Sequence, residues 1–441
     1  MTADRRNHAV RAAVEQGLLT EEQPVAALLD IAGIRASAAA LRGAFADVTD
    51  APVLHAFAVK AAPLVPVLAL LNDEGIGAEV ASPGELALAQ AAGIPADRTV
   101  LDSPAKTLAE LSEALTLGIA VNADNPQELA RLDELTAGGT SSPLGIRVNP
   151  QIGGGSIGAL STATATSKFG VALRDEGARK TVVRAYLDRP WLTRLHTHSG
   201  SQGIPLARMV EGVREVYELA QEINAAAGSQ QVTTIDIGGG LPVNFDSEET
   251  APTYAEYAAL LKEQVPGLLD GRYGLVTEFG RSLLAKNGFF LARVEYTKTS
   301  GSRPIAVTHA GVQVATRTVY DPESWPLRIA AYDGQGRPKA GEPVVQDVAG
   351  PACFAGDLLA QGRALPLLEQ GDVVAALDTG AYYFSNHYGY NSLPRVGVHG
   401  YAVTDGTDGT DGGVRFSLVR APQTTAEIVA ESGGGLARSL L

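Results

Sequence analysis

Thiols are almost absent from this chain: Cys353 is the only cysteine among 441 residues. One thiol excludes an internal disulfide framework and a cysteine-built zinc site, and it fits a reducing, cytoplasmic compartment. No lysine- and arginine-rich run offsets the formal net charge of −14, which repels polyanions, so nucleic acid is not an expected partner. Long apolar runs are missing as well. The longest, Val53 to Leu71, is broken by Lys60, Pro63 and Pro66 and predicts a strand followed by a helix, not a membrane span. The polar start, Met1 to His8, has no apolar signal core behind it. Charged residues are few, 19% against 45% hydrophobic, which excludes a disordered chain and leaves enough apolar side chain for two or three domains.

From residue 35 onwards, short β-rich runs alternate with longer alanine- and leucine-rich segments of helical period. Val53–Val59, Gly77–Val80, Thr99–Leu101, Ala120–Val121, Gly145–Val148, Leu195–His198, Thr233–Ile237 and Gly274–Thr277 read as eight strands. Pro83–Ala92, Ala105–Leu115, Pro126–Leu135, Pro205–Ala227 and Tyr254–Gln264 read as helices between them. Eight such units predict an α/β fold with a (β/α)8 barrel of TIM type, whose functional residues belong at the C-terminal ends of the strands. After residue 293 the texture changes to alternating or β-branched runs such as Pro304–Thr308, Val344–Val348, Asp372–Ala376 and Val414–Val419, and a C-terminal β domain is expected. The expected division is an N-terminal segment 1–34 packed on the β domain, a barrel 35–293, and a β domain 294–441. The Asp-Gly-Thr repeats between Thr404 and Gly413 lack a closing glutamate for calcium and read as a loop tip. The stretch Gly153–Ser167 is rich in glycine, serine and threonine and reads as a loop over the barrel mouth; the tail 431–441 carries no legible chemistry.

Two features suggest a cofactor. Lys60 closes the apolar run His55-Ala-Phe-Ala-Val-Lys60, where Phe57 and Val59 would desolvate it and favour an uncharged amine that attacks a carbonyl. Downstream, Thr233-Thr-Ile-Asp-Ile237 runs into Gly238, Gly239 and Gly240, and glycines after a strand let backbone N–H groups converge on an anion. An aldehyde that carries a phosphate, pyridoxal phosphate, needs both. Taken singly, an ordinary strand-end lysine and an ordinary glycine turn explain the same residues.

Further polar groups follow other strands. Alternation puts His196 and His198 on one face; a metal pair is discounted because no acidic partner stands at ligand spacing in the sequence, and no metal is expected. A ring-stacking histidine with a phosphate-binding serine, Ser201, accounts for the same residues. In Glu278-Phe-Gly280-Arg281 the carboxylate suits a protonated ring nitrogen and the arginine a phosphate or carboxylate, with a surface salt bridge as the alternative. Cys353 lies in a glycine- and proline-bounded turn, Gly350-Pro-Ala-Cys353, which presents functional groups, although a lone cysteine also serves as a small buried hydrophobe.

These motifs in this order resemble the fold-type III pyridoxal-phosphate decarboxylases, the diaminopimelate, ornithine and arginine decarboxylases built on an alanine-racemase-like barrel. The resemblance runs from Val53 to Arg395 and includes Ala81-Ser-Pro-Gly-Glu85 and Ser167-Lys-Phe-Gly170. It implies that Lys60 binds the cofactor aldehyde, Glu278 the ring nitrogen, and His198 the ring face. Ser201, Gly238, Gly239, Gly240, Gly280, Arg281 and Tyr390 would surround the phosphate, with Glu79, Glu85 and Arg147 in support. The resemblance also implies a homodimer in which Cys353 acts in the partner subunit's site as the acid that reprotonates Cα. The implied reaction is loss of carbon dioxide from the Cα of an amino acid, free or carrier-tethered.

The chain departs from the family pattern at Phe354, where diaminopimelate and ornithine decarboxylases carry an acidic residue for the substrate's distal ammonium. Losing that charge-assisted hydrogen bond costs roughly 1.5–3 kcal/mol, and cation–π contact returns only part of it. A standard diamino acid is therefore not the expected substrate. Arg317, Tyr320 and Asp321 stand where the family places its other substrate contacts; Arg317 is one position closer to the tyrosine than the diaminopimelate enzymes' arginine, and surface charge explains Arg317 and Asp321 equally well. Phe279, which replaces the usual proline, is expected to alter packing more than chemistry. An amino-acid racemase, which would carry arginine at the ring nitrogen, and a non-catalytic cofactor-binding homologue are the competing readings. Glu278 and the cysteine turn oppose the first, and retention of Lys60, His198, Glu278 and Cys353 opposes both.

Overall fold

The computed structural model describes residues 2–404 and 413–436; most of the Asp-Gly-Thr repeats and the end of the tail lie outside the described residues. The chain forms two compact units, one of Arg35–Asn244 and Thr250–Leu283, the other of Met1–Ile34, Phe245–Glu249 and Leu284–Leu441.

The first unit is the expected barrel. Its parallel strands are Val53–Ala58, Gly77–Val80, Thr99–Leu101, Ala120–Ala123, Leu144–Asn149, Leu192–His196, Thr234–Asp236 and Gly274–Thr277. Pairing of Leu275 with Val53 joins the eighth strand to the first and closes the sheet. The second to fifth strands are buried at every residue, as parallel strands between a packed interior and a helical layer must be. Local chemistry sets the helix ends. Thr107 and Glu110 form a reciprocal capping box, so that helix begins at Leu108, after the expected Ala105, and it ends at Leu117 on Gly118 in the left-handed region. Pro126–Leu135 and Tyr254–Gln264 occupy the expected positions, capped by Asn125 and by the Thr253–Glu256 box.

The second unit is built on a mixed sheet. Its order runs Leu358–Pro366, Pro343–Ala349, Arg303–Thr308, Gly288–Ser300, Val25–Asp30, Gly397–Val403 and Val414–Arg420, with Val373–Ala376 also pairing with Gly288–Ser300. The N-terminal strand Val25–Asp30 is inserted in this sheet, antiparallel to Gly288–Ser300 and parallel to Gly397–Val403. The helix Ala3–Glu15 packs Ala9, Val10 and Ala13 into the same core as Leu28, Phe289, Leu291, Tyr332 and Tyr401. Arg5 holds the buried Asp30 through two hydrogen bonds of 3.0 and 2.7 Å, a bidentate pair that ties the helix to the strand. The strand Gly288–Ser300 lies whole in this unit, although the sequence texture changes at residue 293. No helix among the described residues is long and apolar enough to cross a membrane.

Candidate active site

Polar residues gather where the barrel strands end. Lys60 sits in a single 3-10 turn, Val59–Ala61, just beyond the first strand, and its ammonium pairs with the buried carboxylate of Glu79 on the second. The expected desolvation by Phe57 and Val59 is corrected here: both are fully buried, but they point into the core, and the Lys60 side chain remains 43% exposed. Burial pushes the Glu79 carboxyl up while the Lys60 charge pulls it down. Glu85 caps a helix: it accepts from Ala81 N–H at 2.8 Å while Ser82 accepts from Glu85 N–H at 3.2 Å, and its charge is felt by Glu79.

On the fifth strand, Arg147 is buried, with its guanidinium 4.4 Å above the ring of Phe169. Gly170, next in that motif, donates to Asp124 at 3.1 Å, and the same Asp124 oxygen stands 4.0 Å from Arg147 Nε. The Ser167-Lys-Phe-Gly170 motif thus positions an arginine.

The sixth strand ends at His196, so His198 lies beyond it in the loop, and the expectation that both extend one strand is corrected. His196 is fully buried, with Nδ1 2.9 Å from Asp102 Oδ2 and Nε2 3.5 Å from Glu278 Oε2. Asp102 follows the third strand and Glu278 the eighth. The acidic partners that no sequence spacing offered are therefore supplied by strands distant along the chain, and the three side chains converge within 4.8 Å. Burial alone would lower the His196 pKa, but the charges of Asp102, Glu278 and Asp236 raise it to about 10. The protonated imidazole is thus favoured by the carboxylates around it, and the three side chains form a buried charged cluster.

His198 behaves oppositely. Burial, then the charge of Arg147, lowers its pKa well below the ordinary value, and its Nδ1 accepts from the backbone N–H of Gly239 at 3.0 Å. Gly238 N–H donates to Asp236 at 3.1 Å. Two of the three glycine N–H groups are thus engaged with protein, which corrects the expectation that they point together at an anion. Close packing demands these glycines: a Cβ on Gly239 would strike the carbonyl oxygen of Glu278, and one on Gly240 that of Gly200. Gly280 brings the last loop against the turn that carries Lys60, since a Cβ there would lie 2.9 Å from Ala61.

Ser201 accepts from Arg281 Nη2 at 3.4 Å, which joins the loops after the sixth and eighth strands. The backbone N–H of Ser201 donates to Leu160 at 3.1 Å, and Ser161 bridges Gly200, so the Gly153–Ser167 stretch is tied to the His198 loop. Phe279 is buried against Tyr254 and Tyr257 at ring distances of 5.2 and 5.9 Å, a packing role in place of proline.

Cys353, Phe354, Arg317, Tyr320, Asp321 and Tyr390 belong to the other unit. Asp357 builds the cysteine turn by accepting from Ala352 and Val312 N–H, each at 2.6 Å. Cys353 is exposed, and its N–H donates to Asn391 at 2.7 Å. Phe354 stacks on Tyr320 at 5.9 Å with ring planes 9° apart and meets the edge of Tyr390 at 5.8 Å. Tyr388, which the sequence did not single out, completes the cluster: its hydroxyl is 3.0 Å from that of Tyr320, and its ring stacks on Tyr390. Arg317 packs between the rings of Trp325 and Tyr382, 5.0 Å from each. Asp321 is exposed at the end of the helix Val312–Tyr320.

The barrel donor set fits pyridoxal phosphate. Glu278 Oε1 is buried and accepts no hydrogen bond, which a protonated ring nitrogen would remedy; a lysine for the aldehyde and a serine–arginine pair for the phosphate stand on neighbouring loops. Comparison with known proteins agrees. Residues 32–285 match the family described as pyridoxal-dependent decarboxylase, pyridoxal binding domain. The chain is 31% identical to the diaminopimelate decarboxylase of Aquifex aeolicus over 360 residues, 81% of each chain. It is 32% identical to that of Pseudomonas fluorescens over 392 residues, 88% of each. Among solved structures, diaminopimelate decarboxylase from Helicobacter pylori complexed with L-lysine superposes with a TM-score of 0.81 at 25% identity, covering 96% of this chain and 100% of that one.

Proposed function

The chain belongs to the pyridoxal-dependent decarboxylases and acts on an amino acid with pyridoxal phosphate, and from that premise we propose a substrate whose far end carries no ammonium group. The observation that carries this reading is the stack of Phe354 on Tyr320 within a cluster of four aromatic rings. An apolar, neutral or anionic end suits that surface, on a free amino acid or one tethered to a carrier. A second reading, diaminopimelate itself, is favoured by the names of the relatives; Asp321 would then meet the distal ammonium.

When bound, pyridoxal phosphate supplies an aldehyde that captures the substrate amine and a ring that accepts the electron pair released with carbon dioxide. Lys60 is the residue that would hold the aldehyde carbon until the substrate amine replaces it, with Glu79 steadying the lysine before that exchange. Glu278 Oε1 would accept from the ring nitrogen, and the uncharged imidazole of His198 would cover the ring without adding positive charge. Ser201, Gly240, Gly280, Arg281 and Tyr390 are the proposed neighbours of the phosphate, with Gly238 and Gly239 shaping the loop beside it through their close packing and Arg147 in support. We further propose a homodimer in which Cys353 of one subunit passes its thiol proton to the substrate Cα in the other. Its support is the family resemblance together with the exposure of Cys353. A thiol kept for proton transfer suits a reducing compartment, the cytoplasm.

The test is carbon dioxide release from the holoenzyme across a panel of L- and D-amino acids. Turnover of an apolar, neutral or acidic amino acid well above lysine, ornithine and diaminopimelate is expected. A clear preference for diaminopimelate selects the second reading.

A further inference from the structure

Three carboxylates, Asp102, Asp236 and Glu278, surround one buried imidazole where the barrel strands end. His196 is wholly excluded from solvent, and Asp102 and Glu278 stand on opposite ring nitrogens at 2.9 and 3.5 Å. Asp236 already has Arg194 at 3.4 Å and the Gly238 N–H at 3.1 Å. Asp102 feels Arg147 and Lys106 from its other side. Glu278 receives no comparable help: Glu79 adds repulsion, and His198, 3.8 Å away, is held uncharged. Of the side chains against it, His196 is the one placed to supply positive charge.

We infer that His196 is a positioning residue that carries a proton on each ring nitrogen and, braced by Asp102, keeps Glu278 a carboxylate facing the cofactor ring nitrogen. The inference rests on the reading that Glu278 meets that nitrogen. Burial drives a carboxyl toward its neutral form, and neighbouring Asp102 and Glu79 add to that drive. A neutral Glu278 would offer the ring nitrogen a hydrogen to accept, and the ring would lose the proton that makes it an electron sink. With His196 charged, Oε2 faces the imidazolium across a 3.5 Å ion pair without a hydrogen bond, and Oε1 accepts no hydrogen bond either, so it is available as an acceptor. Asp102, 2.9 Å from Nδ1, braces the imidazolium by opposite charge from the far side of the ring.

The experiment uses holoenzyme reconstituted with pyridoxal phosphate labelled with nitrogen-15 in the ring, observed by NMR for the wild type, Glu278→Gln and His196→Gln. The wild-type ring nitrogen should be protonated, and both variants should shift it to the unprotonated position. A wild-type position in His196→Gln with a shifted one in Glu278→Gln overturns the inference and leaves the cofactor reading standing. A wild-type position in both overturns the cofactor reading, and the inference with it. A second measurement requires neither variant nor cofactor: in the apo-protein labelled on its seven histidines, one buried imidazole should remain doubly protonated from neutral pH into the alkaline range. Its absence overturns the inference independently.

Discussion

Gly239 donates its backbone N–H to Nδ1 of His198 over 3.0 Å, which leaves the imidazole proton on Nε2. The glycine after the seventh strand therefore sets the tautomer of a histidine after the sixth, and the same residue packs against the carbonyl of Glu278 after the eighth. Three loops that supply the cofactor's proposed neighbours are registered through one residue.

Gly239→Ala should consequently act at a distance from any charge. The added Cβ has the Glu278 carbonyl in its way and must part the two loops, which displaces the carboxylate and loosens the hold on His198. A loss in cofactor affinity of roughly tenfold or more is expected, about 1.4 kcal/mol, read by titrating apo-protein with pyridoxal phosphate. Unchanged affinity would show that the loops yield without cost.

The charge on His196 makes a pH prediction with a definite sign. Its pKa is raised from 6.5 to about 10 in the folded protein, so its contribution is fully present below 6.5 and is lost as pH rises through 10. Between those values the unfolded chain has released a proton that the folded chain keeps, and stability should fall by about 1.4 kcal/mol per pH unit. Asp236, raised to about 7, has finished titrating over the upper part of that window. The slope of the urea midpoint of apo-protein between pH 8 and pH 10 should be shallower in His196→Gln than in the wild type. Equal slopes would mean that His196 does not keep its proton.

Much of the barrel was legible because each strand is a short apolar run between turn residues, and caps such as Thr107 and Glu110 are local. The N-terminal strand was not legible as part of a sheet: Val25-Ala-Ala-Leu-Leu-Asp30 runs into the helical pattern of Ile31–Ala46, and its partners lie more than two hundred residues away. The strand Gly288–Ser300 was divided because it is buried at Phe289, Phe290 and Leu291 and exposed from Tyr296 on, so its composition changes with its surroundings. Lys60, His198 and Glu278 stood out through their motifs. Asp102 and Asp236 did not, since they meet His196 only when barrel closure brings separate strands together, and no spacing along the chain encodes that meeting. Tyr388 was passed over for a similar reason, as its ring contacts come from Tyr320 and Tyr390.

Sharing of sites between subunits is open to a direct check. Lys60→Ala should be inactive and should not be labelled by borohydride in the presence of pyridoxal phosphate, while Cys353→Ala should bind the cofactor and fail in reprotonation at Cα. If Lys60 acts in one subunit and Cys353 in the other, mixed dimers contain one site with both residues intact. Mixing the two inactive variants should then restore activity, up to about a quarter of the wild type per site when exchange is complete. No recovery after demonstrated subunit exchange would mean that each chain completes its own site.

Phe354 carries the substrate reading, and its replacement is the sharpest test of it. Its backbone is held independently of its ring: the N–H donates to Ala352 at 2.8 Å and the carbonyl accepts from Asp357 at 3.2 Å. Phe354→Glu should therefore keep the turn while removing the stack on Tyr320 and placing a carboxylate at the proposed distal-amine position. A charge-assisted hydrogen bond of roughly 1.5–3 kcal/mol corresponds to about 10- to 150-fold in kcat/KM, so turnover of ornithine or diaminopimelate should rise by about tenfold or more relative to the native substrate. The loss of ring packing lowers the absolute rate for every substrate, which is why the ratio between substrates is the quantity to compare. If the wild type already decarboxylates diaminopimelate efficiently and Phe354→Glu leaves the ratio unchanged, the ammonium is met elsewhere. The exposed carboxylate of Asp321 is then the partner to replace next, and Asp321→Asn should abolish that turnover.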